Sequence, residues 1–161
     1  MKIIKHDGVG LAYVEFGAGD PPIIFVHGWC CDHTFLLPQL EFFARRHRVI
    51  GVDLRGHGMS GAPEQEYTMG GFADDIACLC GELGIQKPVI VGHSMGGNVA
   101  LELALRELPA AIVLIDSLVL PPKSFIEGND LHGVAEGLHG DDYLKVFEAV
   151  VSGFLFIATN N

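Results

Sequence analysis

A serine flanked by glycines, Gly92-His93-Ser94-Met95-Gly96, carries the clearest chemistry in this chain. It stands at the end of a short apolar run, Val89-Ile90-Val91, and a helix-like run from Asn98 to Leu108 follows at once. A serine on a tight turn between strand and helix projects its hydroxyl away from the backbone, where it can attack a carbonyl carbon. Glycines at 92 and 96 let the chain turn sharply and let neighbouring elements approach it. The helix behind the serine presents free N-terminal amides, which stabilise negative charge developing on a bound carbonyl oxygen. The stretch reads as a nucleophile elbow. The plainer alternative is a Gly-rich loop with an incidental serine, and the flanking elements argue against it.

Other elements must position that serine. Lys2–His6 and Leu11–Phe16 read as two short strands joined by Asp7-Gly8, a hairpin signal. Ile23–Val26 is apolar throughout, as expected of a strand covered on both faces, and it runs directly into His27-Gly28-Trp29. Thr34–Ala44 is helix-like, with Phe35, Leu36, Leu40 and Phe43 on one side. Arg48–Val52 is the next strand and leads into Asp53-Leu-Arg-Gly-His-Gly-Met-Ser60. Tyr67–Leu83 is a second helix pattern closed by Gly84; Pro88–Val91 and Ala110–Ile115 are the strands before and after the elbow helix. Strands alternating with helices call for an α/β fold with a mostly parallel, doubly wound sheet. Three polar, Gly-rich segments then follow strand ends, where such sheets bind ligands.

The chain has 161 residues, enough for one domain with a real core, and it is 49% hydrophobic and 19% charged, as expected of a compact globule. Twenty acidic against ten basic residues leave a formal charge of −10, which repels phosphate backbones and anionic lipid. Neither nucleic acid nor a membrane surface is therefore an expected partner. The N-terminus breaks into charge too early for a signal peptide, and the longest apolar runs are far too short to span a bilayer. The cysteines, Cys30-Cys31 and Cys78-x-Cys80, lack zinc-ligand spacing. A reduced, cytoplasmic setting is the expectation, with no metal and no cofactor, since the Gly-rich stretches lack a phosphate-binding fingerprint.

His27-Gly28-Trp29 after a strand, Asp53–Ser60, and Gly92–Gly97 make the chain from Met1 to about Pro122 resemble the α/β-hydrolase family, most closely its esterase, lactonase and perhydrolase-like branch. The resemblance implies a serine hydrolase acting on a small ester-like molecule (an ester, lactone or thioester) through an acyl-enzyme. It makes Ser94 the nucleophile and the backbone amides of Trp29 and Met95 the oxyanion hole. The indole of Trp29 either lines the acyl pocket or packs beside the site. His27 and His93 shape loops rather than act as bases. Asp53, Arg55 and His57 match a bracing loop and are expected in a buried ion-pair or hydrogen-bond network. Met59 and Met95 are not metal ligands, since no soft-ligand cluster surrounds them.

The family order is Ser, then acid, then His, the last two on loops after later strands. Residues 1–120 read as the N-terminal part of the core and 121–161 as the start of a cap, with Tyr143, Val146, Phe147 and Val150 on one stripe. The tail 154–161 is either the next sheet strand or a cap segment cut midway; the cut is preferred because it needs no deletion. Either way no position matches the family's histidine, so the expected triad is incomplete and the sheet truncated before its last strands. Asp116 with His132 or His139 preserves the order and is the one internal rebuild the chain offers, against a reading in which Asp116 braces a strand end. Ala110–Ile115 then becomes an open, apolar sheet edge, from which a dimer or swapped assembly is expected. Two other classes stay open: a non-catalytic binding or assembly module, and a cofactor-free haloperoxidase or perhydrolase using the same serine.

Overall fold

A computed structural model describes residues 1–117, and these build one six-stranded sheet. The strands are β1 (Lys2–His6), β2 (Val9–Phe16), β3 (Ile23–Val26), β4 (Val49–Val52), β5 (Val89–His93) and β6 (Ala111–Ile115). Their spatial order is β1-β2-β4-β3-β5-β6. β4, β3, β5 and β6 run parallel, and β1 and β2 form an antiparallel hairpin attached to β4. The mostly parallel α/β sheet read from the sequence is the one observed.

The hairpin closes through Asp7 and Gly8, whose φ values of 50° and 78° give the left-handed pair a two-residue turn needs. His6 pairs with Val9 in consequence, and β2 begins two residues earlier than the sequence pattern indicates. In the central strands side chains alternate between two apolar layers. Ile24, Val26, Ile50 and Val52 meet Phe72, Ile76 and Leu79 of α2 (Met69–Glu82) and Val99 and Leu103 of α3 (Met95–Leu105). Ile23, Phe25 and Val49 turn the other way and pack with Leu36 and with Leu40 of α1 (Leu37–Phe43). Cover on both faces explains why β3 and β4 are apolar without alternation.

All three helices differ from their expected bounds. Thr34–Ala44 is a 3₁₀ turn, His33–Leu36, followed by α1. Pro38 has no N–H to bond the carbonyl of Thr34; the Leu37 amide bonds it instead, one residue early, which is the 3₁₀ pattern. α3 starts at Met95 rather than Asn98, taking in Gly96 and Gly97, poor helix formers that the turn geometry recruits. α2 starts after Thr68, whose side chain accepts from the Gly71 amide at 3.0 Å. The expected cap at 121–161, His132, His139 and the tail 154–161 lie outside the described residues.

Candidate active site

Ser94 stands between the last residue of β5 and the first of α3, with φ 51° and ψ −116°. Few residues other than glycine adopt this conformation, and holding it costs about 1–3 kcal/mol. Close packing enforces it. A Cβ on Gly92 would collide with the carbonyl oxygen of Gly96, and one on Gly96 with the carbonyl oxygens of Val26 and His27. The first turn of α3 therefore rests directly on the backbones of β5 and β3. The Ser94 amide donates to the Ile115 carbonyl at 2.9 Å, and the Gly97 amide to the Ser94 carbonyl at 2.9 Å.

The loop after β3 meets this elbow. A Cβ on Gly28 would stand 3.2 Å from the Cβ of Ser94 and 3.0 Å from Nδ1 of His93, so the loop backbone lies against the serine. Gly28–Cys31 is a tight turn in which the Cys31 amide donates to the Gly28 carbonyl at 3.3 Å and Cys30 is left-handed, φ 57°. Trp29 sits within it and is 46% exposed. Met95 opens α3, so its amide has no intrahelical acceptor. Among the described residues neither the Trp29 nor the Met95 amide bonds a backbone carbonyl outside the regular elements. Both side chains face a cleft of about 510 Å³ whose walls include His57, Tyr67, Met69 and Phe72.

A polar network braces the floor. Asp53 is fully buried; its Oδ1 accepts from the His33 amide at 2.8 Å and His33 Nδ1 at 2.7 Å, and its Oδ2 from the Met59 amide at 2.9 Å. His27, also fully buried, accepts the Leu54 amide at Nε2 (3.0 Å) and donates from Nδ1 to the Gly28 carbonyl (2.7 Å). With one nitrogen accepting and the other donating, the ring is neutral, and burial lowers its pKa. His27 thus ties the Trp29 turn to the loop after β4 and has no nitrogen left for a proton from Ser94. Arg55 forms a two-pronged buried ion pair with Asp75, which also bonds His6 Nδ1 at 2.7 Å. His57 donates from Nδ1 to the Arg55 carbonyl at 3.0 Å and packs its ring against His27 and Phe72.

The network expected for Asp53, Arg55 and His57 is therefore present, but three members were not anticipated: His6, His33 and Asp75. Asp75 had a readable signal, an acid three residues after Phe72 and one before Ile76, on the buried stripe of α2. His6 and His33 had none, because their partners come from distant elements. Asp32, His33 and Asp53 also have metal-ligand spacing. Their donors are already engaged, Asp53 by His33 and Asp32 Oδ1 by the Thr34 amide at 2.8 Å as a helix cap.

The structure brings Ser94, Met95 and the Trp29 turn together. Asp116 follows β6, left-handed at φ 47° and exposed, and among the described residues it has no hydrogen-bond partner. No histidine among the described residues bonds Ser94 either; His93 and His57 are half-buried nearby.

A family model for the alpha/beta hydrolase fold matches residues 21–152. The AB hydrolase superfamily protein YisY of Bacillus subtilis is 33% identical over 151 residues, 91% of this chain and 55% of that protein. The bifunctional esterase/perhydrolase DCH of Acinetobacter calcoaceticus is 39% identical over 98 residues, 60% of this chain and 36% of its own. Among solved structures, Est816, an N-acyl homoserine lactone degrading enzyme, superposes with a TM-score of 0.81 at 28% identity, covering 94% of this chain and 57% of that one. The chain thus spans roughly half or less of the relatives it matches. The shared model, the strand order and the serine turn agree: this chain belongs to the alpha/beta hydrolase fold family.

Proposed function

We propose that the chain carries the nucleophile and oxyanion-binding part of a serine hydrolase for a small carboxylic ester or lactone. Ser94 Oγ attacks the carbonyl carbon while its proton passes through a general base to the leaving alkoxide. The C–O bond to the alcohol breaks, leaving an acyl-serine, and water releases the acid and restores the hydroxyl. The Trp29 and Met95 amides receive the oxyanion; each such donor contributes ~3–4 kcal/mol in the transition state. One observation carries the reading: a serine held at φ 51° between β5 and α3 with the Trp29 turn against its Cβ. Strain of this kind persists where surrounding structure enforces it, and it points to use.

The ester and lactone class is supported by the esterase/perhydrolase and the lactone-degrading relatives. The mostly apolar cleft beside Trp29 and Met95 suits an uncharged acyl or alkyl group. The proposal includes a reducing, cytoplasmic setting, supported by four free cysteines, and no helix among the described residues is long and apolar enough to cross a membrane. It also includes self-association through β6, which pairs only with β5 among the described residues and exposes Val113 and Ile115.

A fluorophosphonate probe tests the activated serine. Labelling that disappears in Ser94→Ala is the expected result. A folded chain that takes no label has no activated serine, and a ligand-binding or assembly module then replaces the esterase reading.

A further inference from the structure

Two adjacent thiols stand in the turn that presents Trp29, and the serine chemistry uses neither. Cys30 is exposed and Cys31 half-buried, both free. Cys30 lines the cleft beside Trp29 and Met95 and is the left-handed residue that closes the Gly28–Cys31 turn. We propose that Cys30 and Cys31 are a vicinal dithiol site for small disulfides of the glutathione disulfide class, and that closing the Cys30–Cys31 bond distorts the turn bearing the Trp29 amide.

The exchange balances without another reactant. Cys30 Sγ, its proton lost to solvent, attacks one sulfur of the small disulfide, forming a mixed disulfide and releasing one small thiol. Cys31 Sγ, likewise deprotonated, attacks the Cys30 sulfur, forming the protein disulfide and releasing the second small thiol. The protein's two thiols are oxidised, and the small disulfide is reduced to two thiols. Exposure assigns the order: Cys30 meets the reagent, and Cys31, covalently adjacent, resolves it.

Ring closure cannot leave the turn unchanged. Adjacent Cα atoms across a trans peptide lie ~3.8 Å apart, less than the ~4.4–6.8 Å usual for bridged cysteines. The Cys30–Cys31 peptide must deform, and its N–H is the group that donates to the Gly28 carbonyl at 3.3 Å. A strained, accessible disulfide is easily reduced again, so the change is reversible. Burial raises the pKa of both thiols, so the exchange accelerates as the medium becomes alkaline. Cys78 and Cys80 offer no equivalent: residues two apart on a helix do not face each other, and burial pushes Cys80 up to about 11.

The effect on catalysis rests on the serine-hydrolase reading; the effect on the turn does not. Trp29 is the only tryptophan in the chain, so its emission reports the turn directly. The experiment treats the chain with glutathione disulfide at mildly alkaline pH and reads peptide mass, Trp29 fluorescence and Ser94 labelling. The expected result is loss of two hydrogens from the peptide holding Cys30 and Cys31, altered Trp29 emission, and recovery with dithiothreitol. Cys31→Ala should stop at a mixed disulfide on Cys30, while Cys78→Ala behaves as the unaltered chain. Ser94 labelling should slow roughly 10²–10³-fold in the oxidised form, the usual loss for one oxyanion donor. A stable mixed disulfide on the unaltered chain overturns the proposal, as does a closed pair with unchanged Trp29 emission. If the thiol chemistry and emission change appear but Ser94 never labels, the dithiol site stands and the esterase reading falls.

Discussion

Replacing Ser94 by glycine should make the protein more stable than replacing it by alanine. At φ 51° and ψ −116° any residue with a Cβ is strained, so alanine keeps the strain and glycine releases it. Release is worth about 1–3 kcal/mol, and the extra freedom of an unfolded glycine takes back about 0.5–1 kcal/mol. Ser94 makes no side-chain hydrogen bond among the described residues, so neither substitution forfeits one there. The net advantage of glycine over alanine is about 1 kcal/mol, or ~2–4 °C in midpoint for a chain of this size. Alanine itself should stay within about 0.5 kcal/mol of the parent. Thermal melts of the three proteins, followed by circular dichroism at one pH, measure this. A glycine variant equal to or less stable than alanine would falsify the claim that the elbow stores strain for function, which is the stability–activity trade the site implies.

Three further outcomes are expected. Arg55→Ala leaves the buried Asp75 carboxylate with His6 alone and should cost ~3–5 kcal/mol in urea unfolding, whereas Arg55→Met with Asp75→Leu should recover most of that loss. A recovery no better than the single variant would mean the ion pair is not the term that matters. Because burial lowers the His27 pKa below its ordinary 6.5, the unfolded chain binds a proton the native chain excludes. Stability should therefore be fully present above about pH 6.5 and fall as pH drops below it; His27→Gln should flatten that limb, and an unchanged limb would assign it to other groups. Val113→Lys puts a charge on the exposed face of the open strand and should shift any dimer toward monomer by light scattering at tens of micromolar; a parent that is already monomeric there removes the edge-pairing proposal.

Much of the architecture was legible because its signals are local. Ile23–Val26 is apolar at every position, which only a doubly covered strand requires, and Asp7-Gly8 dictates a two-residue hairpin by its tolerance of positive φ. Gly92 and Gly96 specify a strand-to-helix turn because close backbone approach at those two positions leaves no room for a Cβ. The break at Pro38 is equally local, but the apolar period of Thr34–Ala44 runs straight across it.

Tertiary structure decided what depends on residues far apart in the chain. It inserts β4 between the hairpin and β3, gives Asp75 an arginine twenty residues away, and holds His27 in one neutral tautomer between two loops. It also decided that the Trp29 turn lies against Ser94. Periodicity and turn chemistry encode the conformation of a few residues at a time. Pairing across the sheet and desolvation of a charge depend on which surfaces meet, and only the folded chain brings those surfaces together.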